Sequence, residues 1–316
     1  MNHTQAAKLL EQRDNILILT HRLPDGDTIG SAVGLCSVLR QRGKTAWLMP
    51  NADASALFVP YMEGLLAPDG FTPQFVVAVD IADEGLFTRE AQPYLGKVDL
   101  SIDHHGSHTG FGRENCVDAR RSSCGELIYD IVRQLGEVTQ EIALPLYVAV
   151  STDTGCFVYN NTRPETHRVA ADLMEIGGQA CLLANKRHFR TKSLRRLRLE
   201  SMMVERMACY DEGRTAVTAV TLEMLAAIGA TKEDLEDISA FIGQAEGVEL
   251  AVTLREIKPG CCKISVRATA GLNASEICAH LGGGGHPGAA GCTVLGTMEE
   301  AAQRILEAIA EVRAHA

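Results

Sequence analysis

No stretch of this 316-residue chain holds the ~18 consecutive apolar residues that a bilayer-spanning helix needs, so the membrane is excluded as a partner. The amino terminus, Met1-Asn-His-Thr-Gln5, lacks the basic and apolar regions of a signal peptide, and a cytoplasmic location is expected. There is no C-x-x-C pair among the ten cysteines, and Cys261 and Cys262 are adjacent, so the spacing supports neither a zinc site nor a disulfide framework. Cys36, Cys124, Cys156, Cys181 and Cys278 sit among apolar or small residues and read as buried, reduced thiols. Positive charge is also short, with 30 Lys and Arg against 40 Asp and Glu and a net charge of −10. A protein that tracks a long nucleic acid needs a basic stripe, because phosphate neutralisation supplies most of the affinity. A long strand is therefore excluded, and a short, compact phosphate ligand fits the balance better.

What is present converges on one stretch, Thr20-His-Arg-Leu-Pro-Asp-Gly-Asp-Thr-Ile-Gly-Ser-Ala-Val-Gly34. The apolar run 15–20 before it reads as a buried parallel strand, and the apolar-periodic segment 29–39 after it as a helix. Pro24 and Gly26 force a turn between them. His21, Asp25 and Asp27 thus leave the carboxyl end of a strand on one loop, where open α/β sheets place their ligands. Two aspartates and a histidine cannot satisfy one another. A divalent cation resolves the conflict, and such a set suits Mn²⁺, Fe²⁺ or Zn²⁺ better than Ca²⁺. The plainer alternative is a polar turn with an Asp cap on the helix. Three more apolar runs end in similar residues: 75–79 before Asp80, 98–102 before Asp103-His104-His105, and 145–150 before Ser-Thr-Asp153-Thr-Gly155. Four strand ends that each discharge an Asp or His build a cup for a pair of metal ions.

Along the chain, helices are predicted at 4–13, 29–39, near 86–94, 126–133 and 165–176, the last closed by Gly177-Gly178. Strands alternate with them, and 140–150 is ambiguous between helix and strand. A basic stretch with Lys186, Arg187, Arg190, Lys192, Arg195, Arg196 and Arg198 reads as a helical linker, either solvated or facing a phosphate. Beyond it, strands at 214–220, 248–255 and 262–267, a Pro259-Gly260 hairpin, and helices at 223–228, 232–244, 274–281 and 298–313 form a second unit. The fold class is α/β: an N-terminal, mostly parallel sheet with flanking helices over 1–185, a linker over 186–210, and a smaller C-terminal α+β domain over 211–316. This second domain holds Gly282-Gly283-Gly284-Gly285-His286, within the run Leu-Gly-Gly-Gly-Gly-His-Pro-Gly-Ala-Ala-Gly over 281–291. Glycines admit a ligand to backbone N–H groups. His286 and Arg267 add donors of the kind a phosphate site needs, the alternative being a flexible connector.

Together, His21-x-x-Pro-Asp25-Gly-Asp27, Asp80 after Val-Ala-Val, Asp103-His104-His105, Asp153 in Thr-Asp-Thr-Gly and Gly-Gly-Gly-His286-x-x-Ala-Ala-Gly resemble the DHH phosphoesterase superfamily in its DHH–DHHA1 form. The resemblance covers nearly the whole chain and is strongest to the bacterial nanoRNase/pAp phosphatase group. It implies two Mn²⁺ per chain, with Co²⁺ as a substitute. One would be held by His21, Asp25 and Asp80, the other by Asp27, Asp80, His104 and Asp153, with Asp80 as the bridge. It implies that His105 binds the phosphoryl group or protonates the leaving group, or else serves as a supporting histidine, and that Asp103 orients it. Arg267, Gly283, Gly284, Gly285 and His286 would hold a distal phosphate or ribose. The implied activity is hydrolysis of very short oligoribonucleotides such as pApA to mononucleotides, with 3′-phosphatase action on pAp. A cyclic di-AMP phosphodiesterase and a catalytically idle nucleotide sensor are the rivals. The implied partners are short RNA or small nucleotides, and a homodimer is one oligomeric state the sequence allows.

Overall fold

The computed structural model describes residues 1–235, 237–269 and 271–315. It divides into two compact units, Met1–Thr191 and Lys192–Ala316. The first carries α1 (His3–Glu11), β1 (Ile16–Leu19), α2 (Gly26–Gln41), β2 (Ala46–Leu48), α3 (Val59–Met62), β3 (Phe75–Val79), β4 (Leu100–Asp103), β5 (Glu114–Val117), α4 (Cys124–Leu135), α5 (Gln140–Asp153), α6 (Pro164–Gly177) and α7 (Gln179–Asn185). Its five strands form one parallel sheet in the order β2-β1-β3-β4-β5. β1, β3 and β4 are buried at every position, which is why each reads as an unbroken apolar run. Ile16 and Ile18 enter the core shared with α2, α4 and α5, while Leu17 and Leu19 meet Val76, Ala78, Phe87 and Val98 on the other face. The strand order reverses between β1 and β3, and the crevice outside their carboxyl ends is a ligand position of such sheets.

Three local expectations change here. The helix near 86–94 is two short 3₁₀ turns, Glu84–Leu86 and Gln92–Tyr94; Pro93 lacks an N–H and disfavours α geometry at Gln92. β5 was not anticipated, because a half-exposed edge strand with one buried residue, Cys116, carries little apolar pattern. The apolar run 145–150 belongs to helix α5, so Asp153 leaves a helix end and not a strand end. Uniform apolarity cannot separate a buried strand from a buried helix.

In α2, Gly26, Gly30 and Gly34 recur every four residues on the face that meets α5. A Cβ on Gly30 would lie 2.1 Å from the Pro145 carbonyl oxygen and 2.9 Å from the Ala149 nitrogen. One on Gly26 would lie 2.2 Å from Thr152 Oγ1, and one on Gly34 2.7 Å from Leu146. Only glycine lets the two backbones touch. That approach sets Asp27, in the first turn of α2, beside Asp153 at the end of α5.

The second unit carries α8 (Leu194–Glu205), β6 (Ala208–Tyr210), β7 (Thr215–Val220), α9 (Leu222–Ile228), β8 (Leu250–Lys258), β9 (Cys261–Ala268), α10 (Ala274–Ala279), β10 (Gly284–His286), β11 (Ala289–Leu295) and α11 (Met298–His315). Its mixed sheet runs β10-β11-β9-β8-β7-β6, with β7 and β8 parallel and the other pairs antiparallel. Glu233–Leu235 and Ile238–Gln244 are 3₁₀ turns where one helix is expected over 232–244, and Glu236 of that span lies outside the described residues. The basic stretch is not one helix either. It runs through α7, a π turn at Lys186–Arg190 and α8, broken at 191–193. Lys192 and Arg196 pair with Glu200, and Arg195 with Asp234, so part of this charge is internal to the second unit. All ten cysteines are free. Among the described residues no helix is long and apolar enough to cross a membrane.

Candidate metal centre

The loop after β1 is shaped by its own aspartates. Asp25 caps α2 by accepting from the Asp27 and Thr28 backbone N–H groups at 3.0 and 3.1 Å. Asp27, 1% exposed, turns inward to the first residues of α4. Its carboxylate accepts from Cys124 N at 2.7 Å, Gly125 N at 2.9 Å and Ser31 Oγ at 3.1 Å. Asp80 follows β3 in a left-handed conformation, φ 58°, that aspartate tolerates better than most residues. Thr28 Oγ1 ties the two segments by donating to the Val79 carbonyl at 3.0 Å.

Donor atoms of His21, Asp25 and Asp80 cluster within 4.8 Å of one another, as do those of Asp27, His104 and Asp153, and those of Asp80, Asp103, His104 and His105. Asp80 Oδ2 is 3.7 Å from His21 Nε2, and its Oδ1 is 3.6 Å from His104 Nε2. His104 Nε2 is 3.6 Å from Asp27 Oδ2 and 3.7 Å from Asp153 Oδ2. These separations are too long for hydrogen bonds. They match two donors on one cation, since bonds of about 2.1 Å set at about 90–120° leave donors about 3.0–3.7 Å apart. Asp80 Oδ1 and His104 Nε2 are buried with no hydrogen-bond partner among the described residues. Burying such groups unsatisfied is costly, and a cation between them removes the cost.

All three histidines are held in the tautomer this chemistry needs. His21 Nδ1 donates to the Arg22 carbonyl at 2.8 Å and His104 Nδ1 to the Arg121 carbonyl at 3.3 Å, leaving each Nε2 lone pair facing the carboxylates. His105 Nδ1 donates to Asp103 Oδ1 at 2.7 Å. That bond, outweighing burial, raises the His105 pKa. Burial lowers the His104 pKa, as does the neighbouring His105, so His104 stays a neutral donor.

Without a cation the carboxylates repel. Burial, then Asp153 and Asp25, push the Asp27 pKa well up; burial, then Asp27 and Asp25, do the same to Asp80. Burial and the charge of Asp25 lift Asp153 to about 7. These groups keep protons in the folded chain at pH values where the unfolded chain has released them, near 3.9. Their contribution is therefore present below about pH 4 and is lost as pH rises towards 7. Metal-stripped protein should melt at a higher temperature at pH 5 than at pH 7.5. Saturating Mn²⁺ should reverse that slope, because the ligands must be deprotonated to bind. Thermal melts in EDTA and in Mn²⁺ across this range check it, and a flat metal-free profile would count against the buried-carboxylate account.

Arg267 and His286 lie in the second unit. Ala289 of β11 pairs with Arg267 on one side and with His286 on the other, which puts both side chains on one face of the sheet with a methyl between them. Among the described residues no carboxylate pairs with Arg267; its Nη1 donates to its neighbour's carbonyl at 3.2 Å. The second half of the glycine run, Gly284 and Gly285, lies with His286 in the edge strand β10. A Cβ on Gly283 would lie 2.3 Å from the Gly291 carbonyl oxygen, and Gly285 has φ 149°. Among the described residues the N–H groups of Gly284, Gly285 and His286 have no backbone partner outside the sheet, whereas Gly283 N donates to the Cys278 carbonyl at 2.9 Å.

Family comparison agrees with this layout. The description "DHH family, N-terminal domain" matches residues 15–150, and the DHHA1 domain matches residues 215–314. A Thermus thermophilus protein named a bifunctional oligoribonuclease and PAP phosphatase is 36% identical over 300 residues, covering 94% of this chain and 89% of the relative. The chain belongs to the DHH phosphoesterase superfamily, in its DHH–DHHA1 form. A Bacillus subtilis protein of the same name is 25% identical, with 96% of each chain covered. A Bacteroides fragilis crystal structure described as an exopolyphosphatase-related protein superposes with a TM-score of 0.88 at 26% identity, covering 98% of this DHH chain and 95% of that one.

Sequence reasoning missed residues that hold the candidate ligands. Ser31 acts through its hydroxyl, and Arg121, Cys124 and Gly125 through a carbonyl and two backbone N–H groups, which their side chains do not announce. The spacing of Asn161 from Asp153 also carries no periodic signal.

Proposed function

We propose that this chain is a phosphoesterase using two divalent cations, Mn²⁺ or Co²⁺, that releases mononucleotides from very short oligoribonucleotides such as pApA and removes the 3′-phosphate of pAp. The observation that carries the reading is the pair of unpartnered buried donors, Asp80 Oδ1 and His104 Nε2, at the strand-order reversal. The names of the Thermus and Bacillus relatives support the substrate class. His21, Asp25 and Asp80 would hold one cation, and Asp27, Asp80, His104 and Asp153 the other. Bound there, the cations supply charge neutralisation for phosphoryl oxygens and acidify water. His105 holds a proton at Nε2 for the leaving oxygen, and Asp103 fixes that ring through Nδ1. Arg267, His286 and the backbone N–H groups of Gly284 and Gly285 grip a second phosphate of the substrate, while Gly283, whose own N–H donates to the Cys278 carbonyl at 2.9 Å, serves by leaving room for the close approach of β11.

Timed product analysis on pApA, a linear 5-mer, pAp and cyclic di-AMP, with Mn²⁺, is the test. AMP from pApA and pAp, with cyclic di-AMP largely intact, is the expected outcome. Hydrolysis of cyclic di-AMP alone, or no phosphate or nucleotide release at all, would sink it. The division of labour gives a second expectation. Losing a charge-assisted hydrogen bond commonly costs ~1.5–3 kcal/mol, or roughly 10- to 150-fold in kcat/KM. Arg267→Ala should lose that much on pApA and pAp, spare bis-p-nitrophenyl phosphate and leave metal content unchanged. Equal loss on both substrates in a folded, metal-replete variant would remove Arg267 from the substrate grip. Glu256 does not compete for it, since in the β8–β9 register Glu256 faces Cys262 while Arg267 faces Ala251, five residues along the strand.

A further inference from the structure

We infer that Asn161 is a positioning residue that holds two ligand residues of one cation, His104 and Asp153, in place, a reading that rests on the proposed pair of cations. The chain leaves Asp153 through an unusual turn, with Gly155, Cys156 and Phe157 at φ 55°, 57° and 69°. Three consecutive residues in the left-handed region are costly, most of all for cysteine and phenylalanine, and persist only where the surroundings impose them. The segment returns to its starting point at Asn161. The Asn161 Nδ2 group donates to the Asp153 carbonyl at 3.1 Å and lies 3.5 Å from Asp153 Oδ2. It also donates to the Ser122 carbonyl at 3.0 Å.

Ser122 matters because it follows Arg121, whose carbonyl accepts from His104 Nδ1. Asn161 therefore fastens the end of α5, which bears Asp153, to the backbone that orients His104. The side-chain amide can point only one way. All three neighbours of Nδ2 are acceptors, so a flipped amide would set an oxygen against three oxygens. Asn161 Oδ1 is buried with no hydrogen-bond partner among the described residues. An unsatisfied buried acceptor is tolerated when the opposite end of the group is required. The Asn161 donor also turns towards the carboxylate whose charge the cation needs, as supporting groups around metal ligands do.

The test is Mn²⁺ binding to metal-stripped, full-length protein, read by electron paramagnetic resonance of free Mn²⁺. Wild-type protein is expected to take up two ions per chain. Removing a group that supports metal ligands commonly weakens affinity 10- to 100-fold. Asn161→Ala and the isosteric Asn161→Leu should each weaken one Mn²⁺ by that factor and leave the other within about twofold. Asn185→Ala is the structural control: it removes another buried amide, which donates to Tyr147 Oη at 2.8 Å. It should lower the melting temperature without moving either Mn²⁺. Unchanged affinity for both ions in a folded Asn161→Leu or Asn161→Ala protein would overturn the inference. So would an equal weakening in Asn185→Ala. Fewer than two ions on the wild-type chain would overturn the two-cation reading itself, and that result is seen before any variant is compared.

Discussion

Asp80→Asn protein is expected to bind neither cation tightly and to lose two to nearly four orders of magnitude in turnover, while its metal-free form becomes more stable. Asp80 is 2% exposed, and its two oxygens face His21 on one side and His104 on the other. Breaking a buried charge set by removing one partner costs about 3–5 kcal/mol, and about 1.4 kcal/mol corresponds to a decade in rate. The metal-free form moves the other way because burial and the charges of Asp27, Asp25, Asp103 and Asp153 all oppose ionisation of Asp80. An amide in its place removes that repulsion. Asparagine also accepts the left-handed backbone at φ 58°, so the substitution adds no strain. His21→Ala should differ by leaving the second cation partly bound. Metal analysis and thermal melts with and without Mn²⁺ measure all three effects. Two tightly held ions per chain in Asp80→Asn protein would show that Asp80 is not the bridge.

Gly30→Ala should destabilise the first unit, against the sign of helix propensity. Alanine in a helix interior is worth about 0.8–1 kcal/mol over glycine. Here its methyl would meet the backbone of α5, the Pro145 carbonyl oxygen at 2.1 Å and the Ala149 nitrogen at 2.9 Å, which cannot rotate away. Overpacking commonly costs 1–3 kcal/mol and exceeds the propensity gain. Gly30→Val adds further volume and should cost more. At roughly 2–4 °C per kcal/mol for a unit of this size, Gly30→Val should melt several degrees lower. Separating α2 from α5 also draws Asp27 away from Asp153, so Mn²⁺ binding should weaken alongside stability. A Gly30→Ala protein that melts higher than wild type would show that the helices have room between them.

The loop with His21, Asp25 and Asp27, then Asp80, then Asp103-His104-His105 were legible because three buried parallel strands, β1, β3 and β4, each announce themselves as a short apolar run that ends in a polar residue. Asp153 was legible as a residue but not as part of its element. Its approach is apolar on every face, and a strand and a helix buried on all sides have the same composition. The 3₁₀ turns Glu84–Leu86, Gln92–Tyr94, Glu233–Leu235 and Ile238–Gln244 read as helix in the sequence because their apolar residues recur at spacings both structures share. Gly282 to Gly285 shows as a glycine run, but the place of Gly284 and Gly285 in an edge strand depends on β11 pairing with them.

By itself, the sequence determined the residue types, the ends of the buried strands and the two-part plan, because burial and turn chemistry are local properties of a short segment. Tertiary structure alone decided which atoms face one another. The meeting of Asp27 with Asp153 depends on backbone contact between α2 and α5. The His104 tautomer depends on a carbonyl at Arg121, 17 residues away. The alignment of Arg267 with His286 depends on two strand registers that share Ala289. Each of these is a long-range pairing whose energy comes from groups every residue carries, the peptide N–H, C=O and Cα, and such groups leave no mark in the order of the side chains.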